Sequence, residues 1–134
     1  MSEPTASGGP EPSILIVDDD PSTLAGLLEL VRRAGYRASG AASFEQGRKI
    51  LDESAVSLLV TDVRLGTANG LHLMLRARMK DPPPPVIVIT GFADAVLEVE
   101  ARRMGAKFLL KPVDADEFLA LVRQQLEIGD SHHD

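Results

Sequence analysis

Residues 14–23, ILIVDDDPST, run four apolar side chains straight into three consecutive aspartates and a proline. The apolar run is mostly β-branched, as in a strand covered on both faces. Pro21 fits the first position of a helix, and the residue before it is biased toward the extended backbone of an N-cap. This reading makes Asp20 a helix cap. A strand that passes through carboxylates directly into a helix is the unit from which parallel sheets are built. Why like charges crowd there depends on what else reaches the same place.

The same alternation recurs along the chain. LLVT (58–61), VIVIT (86–90) and FLL (108–110) read as further strands covered on both faces, and the more polar YRAS (36–39) suits an edge. Between them lie helix signals. Leu24, Leu27, Leu28 and Val31 share a face, with Gly35 just past the end. Ser43 with Gln46 forms a capping-box pattern ahead of Ile50 and Leu51. The spacing places Leu71, Met74 and Leu75 on one face of a third helix, and Leu97, Ala101 and Met104 on one face of a fourth. Asp114 with Glu117 opens a fifth helix through Phe118, Leu121, Val122 and Gln125. Prolines 82–85 stop the third helix and feed the fourth strand in extended form. The pattern is (βα)5.

With 134 residues, 44% of them hydrophobic, the chain holds one domain and one core. Residues 1–12 are rich in Pro, Gly, Ser, Thr and Glu and read as a flexible tail, as do residues 128–134; the domain spans 13–127. No apolar run approaches the roughly 20 residues of a membrane span, and the start lacks the order of a signal peptide, so a cytoplasmic location is expected. The absence of cysteine removes disulfides, thiol catalysis and thiolate metal sites. A formal net charge of −6 argues against direct binding to nucleic acid or anionic membrane.

In a parallel sheet with right-handed crossovers, the residues just after the strands emerge on one rim, where such folds bind ligands. Here that rim receives Asp18, Asp19 and Asp20, then Asp62, Thr90 and Lys111. Gathered carboxylates repel unless a cation neutralises them, and hard oxygen ligands suit Mg2+, or Mn2+ in its place. Lysine and threonine are then charge and hydrogen-bond partners for a phosphoryl group, with Gly91 leaving it room. Asp62 sits where it could act as a nucleophile and form an acyl phosphate. Each residue alone has a plainer reading: a turn aspartate, a strand-end threonine, a solvated lysine.

Residues 13–127 resemble the receiver domain of a two-component response regulator. The resemblance rests on ILIVDDDP, LLVTDVRL with Gly70 eight residues past Asp62, VIVITG and AKFLLKPV, four motifs in order. It implies a flavodoxin-like three-layer α/β sandwich with a five-stranded parallel sheet of order 2-1-3-4-5. It implies that Asp62 is the phosphoacceptor, taking a phosphoryl group from a histidine kinase or phosphotransfer protein. In that pattern Asp19 ligates the metal directly, Asp18 acts mainly through water, and Asp62 and the backbone carbonyl of Arg64 also bind the ion. Thr90 and Lys111 contact the phosphoryl oxygens, Thr90 and Phe108 act as switch residues, and the Lys111–Pro112 bond is cis. Such a domain is a signalling device that promotes its own phosphorylation and dephosphorylation, not an enzyme with a separate substrate.

The implied readout is a protein partner on the face of helix 4, strand 5 and helix 5, where Arg102, Arg103 and Lys107 supply positive charge. Leu119 and Leu126 widen the last helix's apolar stripe, which ordinary burial explains and which also leaves a homodimer open. Where many relatives carry methionine and proline after the acceptor strand, this chain has Leu65 and Gly66, so the loop is expected to be looser. Arg64 is expected to tune phosphoryl lifetime. His72 falls off its helix's apolar stripe, and the His132 and His133 pair lies in the tail. A second reading, a haloacid-dehalogenase-like Mg2+-dependent phosphatase with Asp18 as nucleophile and Asp20 as acid/base, fits DDDPS but would want acidic metal ligands after the lysine strand, where Pro112 and Val113 follow Lys111, and room for a cap domain. A third is a binding module whose site no longer turns over.

Overall fold

A computed structural model describes residues 12–66, 68–91 and 95–131. The tail reading for residues 1–11 and the histidine pair lie outside the described residues. Five strands form one parallel sheet: β1 (Ser13–Val17), β2 (Arg37–Ala41), β3 (Leu58–Asp62), β4 (Val86–Thr90) and β5 (Lys107–Leu110). Their order is β2-β1-β3-β4-β5, as the sequence implied. Five helices connect or follow them: α1 (Pro21–Arg33), α2 (Phe44–Glu53), α3 (Leu71–Arg78), α4 (Ala95–Arg103) and α5 (Ala115–Ser131). The last helix runs on past the residue-127 boundary read from the sequence.

Local chemistry sets the helix ends. Asp20, at φ −90 and ψ 113, accepts the Ser22 N–H and caps α1, with Pro21 at its first position. At the other end the Gly35 N–H reaches Arg32 O and the Tyr36 N–H reaches Val31 O, the paired bonds of a Schellman turn. Ser43 Oγ accepts the Gln46 N–H, and the Gln46 side chain reaches back to the Ala42 N–H, one residue before the cap. The Asp114 carboxylate takes the Glu117 N–H at the start of α5.

The sheet divides the core. On one face Leu27 and Val31 of α1 and Phe118, Val122 and Leu126 of α5 pack on Ile14, Ile16, Val60 and Ile89. On the other, α2, α3 and α4 cover Leu15, Val17, Leu59 and Val88. Alternate strand residues thus serve opposite faces, which is why β3 and β4 read as unbroken apolar runs. Leu126 is buried and Leu119 packs against the same cluster, so ordinary packing accounts for both.

Two expectations are corrected. In α3 the buried residues are Leu71, Leu73, Met74 and Ala77, while Leu75 is half exposed. Apolar residues occupy most of this helix, so periodicity could not choose its face. β5, at the edge as the implied strand order has it, was read as covered on both faces but is only partly covered: Phe108 and Leu109 are half-buried and Leu110 is 49% exposed, and among the described residues the strand is paired on one side alone.

Candidate functional site

β1 and β3 align Val17 with Thr61, and β3 and β4 align Asp62 with Ile89, so the chain leaves each strand at nearly the same height. Asp18 is buried at the first exit, and Asp62 ends β3 at 7% exposure. Between them comes Lys111 from beyond β5: its Nζ lies 3.0 Å from Asp18 Oδ2 and 2.9 Å from Asp62 Oδ2. Asp18 Oδ1 also accepts the Asp20 N–H at 2.9 Å, and Asp62 Oδ1 accepts the Arg64 N–H at 3.1 Å. Asp19 is exposed, and its Oδ2 accepts the Gly66 N–H at 2.8 Å. One oxygen from each of Asp18, Asp19 and Asp62 lies within 4.8 Å of the others.

Burial pushes the Asp18 carboxyl above the usual carboxylate range, and this outweighs the Asp20 amide and Lys111, which pull it down. Burial would lower Lys111, but its hydrogen bonds to Asp62 and Asp18 more than offset that and hold the ammonium above its ordinary value. The two partners of one contact therefore shift the same way.

Thr90 is buried at the end of β4, and its carbonyl accepts the Lys111 N–H at 2.8 Å, tying the fourth and fifth exits together. The Lys111–Pro112 bond is cis, as the resemblance implied. A Cβ on Gly91 would sit 3.9 Å from Lys111 Cδ, an ordinary contact, so the space there is open without demanding glycine. Gly70 is different. Its N–H bonds Val63 O at 2.6 Å, and a Cβ there would overlap the carbonyl oxygen of Asp62. Asp62 and the start of α3 are in backbone contact.

Asp20 stands apart from the cluster: it caps α1, takes a 2.6 Å bond from the Thr23 hydroxyl, and is held below the usual carboxylate range first by that bond. Phe108 is half-buried on β5 with the Arg102 guanidinium 5.9 Å over its ring, and Arg102 is itself paired with Glu98. His72 is exposed and stands edge-on to Phe44. The sequence reading missed the bridge from Lys111 to Asp18 and the amide contacts from Arg64 and Gly66. A short antiparallel ribbon, Arg64–Leu65 with Ala68–Asn69, presents those amides, and two-residue strands leave no periodic signal.

The donor set fits a hard divalent cation. Three carboxylates and one ammonium leave surplus negative charge, and all the clustered donors are oxygens.

Comparison with known proteins agrees. Residues 14–123 match the response regulator receiver domain family. The photosynthetic apparatus regulatory protein RegA of Rhodobacter capsulatus is 33% identical over 116 residues, 86% of this chain and 63% of that protein. The chain therefore spans less than two thirds of that regulator's length. A CheY-like receiver domain protein from Methanospirillum hungatei superposes with a TM-score of 0.86 at 26% identity, covering 92% of this chain and 99% of that one. A response regulator from Burkholderia pseudomallei, solved with a phosphorylated aspartic acid, a calcium ion and citrate, superposes at 0.75 with 25% identity, covering 92% and 73%. The chain belongs to the response regulator receiver domain family of two-component systems.

Proposed function

We propose that Asp62 accepts a phosphoryl group from a phosphohistidine on a sensor kinase or phosphotransfer protein, and that the modified domain then regulates a protein partner. The observation that carries this is the Lys111 ammonium held between Asp18 and Asp62 on a rim with three clustered carboxylates. The likeness to a relative with a phosphorylated aspartic acid supports it.

Asp18, Asp19, Asp62 and the backbone carbonyl of Arg64 would hold Mg2+, or Mn2+. When bound, the ion would neutralise the surplus carboxylate charge and supply positive charge against that developing on the phosphoryl group. An oxygen of Asp62 attacks phosphorus as the N–P bond breaks, the bonding electron pair returns to the imidazole nitrogen, and an acyl phosphate forms. Lys111, already 2.9 Å from Asp62, exchanges a carboxylate oxygen for a phosphoryl oxygen, and Thr90 donates its hydroxyl to another. Water later attacks phosphorus, releasing inorganic phosphate and restoring the Asp62 carboxylate.

The added charge, about 1.5 to 2 units, gives Thr90 and Lys111 contacts that exist only in the modified state, and that difference shifts a conformational equilibrium. The readout runs through Phe108 to the surface of α4, β5 and α5, where a cavity of about 570 Å3 is lined by Arg102, Lys107, Phe108 and Arg123. A protein effector docks there, and the proposed relay from a sensor kinase works in the cytoplasm.

Incubation with acetyl phosphate and Mg2+, read by intact mass, tests the reading. One phosphoryl increment is expected in the wild type, none in Asp62→Asn, and a slower gain in Asp18→Asn. Label kept in Asp62→Asn but lost in Asp18→Asn would move the nucleophile to Asp18, as in the phosphatase reading. No adduct and no response to fluoroberyllate would leave a binding module.

A further inference from the structure

The three carboxylates are not held equally. Asp18 is buried and fastened by the Asp20 amide and Lys111, and Asp62 is buried and fastened by the Arg64 amide and Lys111. Asp19 is exposed, and among the described residues its side chain takes one hydrogen bond, from the Gly66 N–H across 47 residues of sequence. An exposed aspartate without such a bond samples several rotamers, and only some would aim an oxygen at the cluster.

Residue 66 supplies that bond from a backbone conformation that favours glycine. Its φ is 64, in the left-handed region, and a Cβ there would meet nothing within 4 Å. The constraint is therefore conformational and not steric crowding. Proline could not serve, since its φ is fixed near −65° and it has no N–H. Gly66, expected from the sequence to loosen the loop, also ties it to Asp19. The ribbon that starts two residues past Asp62 thus turns two amides, Arg64 and Gly66, onto two of the clustered carboxylates.

We infer that Gly66 is a positioning residue for the cation: its backbone N–H aims the Asp19 carboxylate at the space between Asp18 and Asp62. This rests on the reading that Asp18, Asp19 and Asp62 hold a divalent ion. Donors that orient a metal ligand in this way typically contribute 10- to 100-fold to affinity.

Mn2+ titration of the full chain followed by electron paramagnetic resonance, with no phosphodonor present, tests it. Gly66→Pro is expected to bind Mn2+ about 10-fold more weakly than wild type. Gly66→Ala keeps the amide and is expected to stay within about 2-fold in affinity while losing some thermal stability to its strained φ. Because Gly66→Pro alters the backbone as well, a second measurement uses the native glycine: in Asp19→Ala the Gly66 amide proton is expected to move upfield and exchange faster with solvent. Equal Mn2+ affinity in wild type and Gly66→Pro overturns the inference alone, as does a Gly66 amide indifferent to Asp19→Ala. A wild type that binds no Mn2+ overturns the cation site and the inference with it.

Discussion

β3 and β5 deliver opposite charges to the same rim, Asp62 at the end of one and Lys111 just beyond the other, yet they are built differently. All five residues of β3 are buried, and the strand is paired on both sides. β5 pairs with β4 alone, and its outer residues Lys107 and Leu110 are exposed. On the proposed function, a carboxylate that meets phosphorus in line benefits from a rigid, desolvated mount. The proposed exchange of one oxygen partner for another by Lys111 benefits from a mount that costs less to shift, because edge strands with few buried contacts open more readily. That proposal then gives geometry to the centre of the sheet and response to its edge.

The largest effect that could break this comparison lies in the strand cores. Leu59→Ala, at a fully buried position of β3, is expected to cost about 2–5 kcal/mol in urea denaturation. Leu110→Ala, at the half-exposed end of β5, should stay within about 0.5 kcal/mol. Similar losses at the two sites would mean the strands are equally anchored. Next comes Gly70→Ala, whose new methyl must displace the Asp62 carbonyl. A loss of about 1–3 kcal/mol is expected, together with slower acetyl-phosphate labelling on the proposed function, and a normal labelling rate would show that the Asp62 backbone is less fixed than its burial suggests.

A smaller effect belongs to the helices over β3. Arg76 of α3 makes two bonds to Asp52 of α2, at 3.2 and 2.6 Å, and this contact holds the Asp52 carboxyl below its usual range. A folded-state value below the unfolded one contributes stability above the unfolded pKa, and that contribution is lost as pH falls through the folded value. Asp52→Asn should therefore cost up to about 1 kcal/mol at neutral pH, with the pair largely solvated, and that cost should shrink as pH falls below the ordinary aspartate range. A constant difference across that range, by chemical denaturation, would assign the loss to packing. Smallest is Arg102→Ala, which removes the guanidinium from the Phe108 ring. A cost of about 0.5 kcal/mol and faster ring motion by NMR relaxation are expected at the edge, and no change in ring motion would detach Phe108 from the arginine above it.

Much of the architecture was legible because it rests on patterns local to the chain. The apolar runs at 14–17, 58–61 and 86–90, the Asp20–Pro21 junction and the Ser43–Gln46 box each encode a strand or a helix start within a few residues. α3 was not legible in the same way. Its near-continuous apolar character leaves rotation about the helix axis to Gly70, whose backbone is packed against Asp62. The exposure of Leu110 also escaped the sequence, since an apolar residue at an edge looks the same in one dimension as one at the centre.

The sequence by itself determined the alternation of strand and helix, and with it which residues leave the sheet at its carboxyl rim, because side-chain periodicity and capping act over a single turn or strand. Tertiary structure alone decided how those residues meet: Lys111 between Asp18 and Asp62, and the Arg64 and Gly66 amides on Asp62 and Asp19. Most of these contacts join residues more than 40 positions apart, and their distances follow from strand register and ribbon twist, which no short stretch of chain specifies.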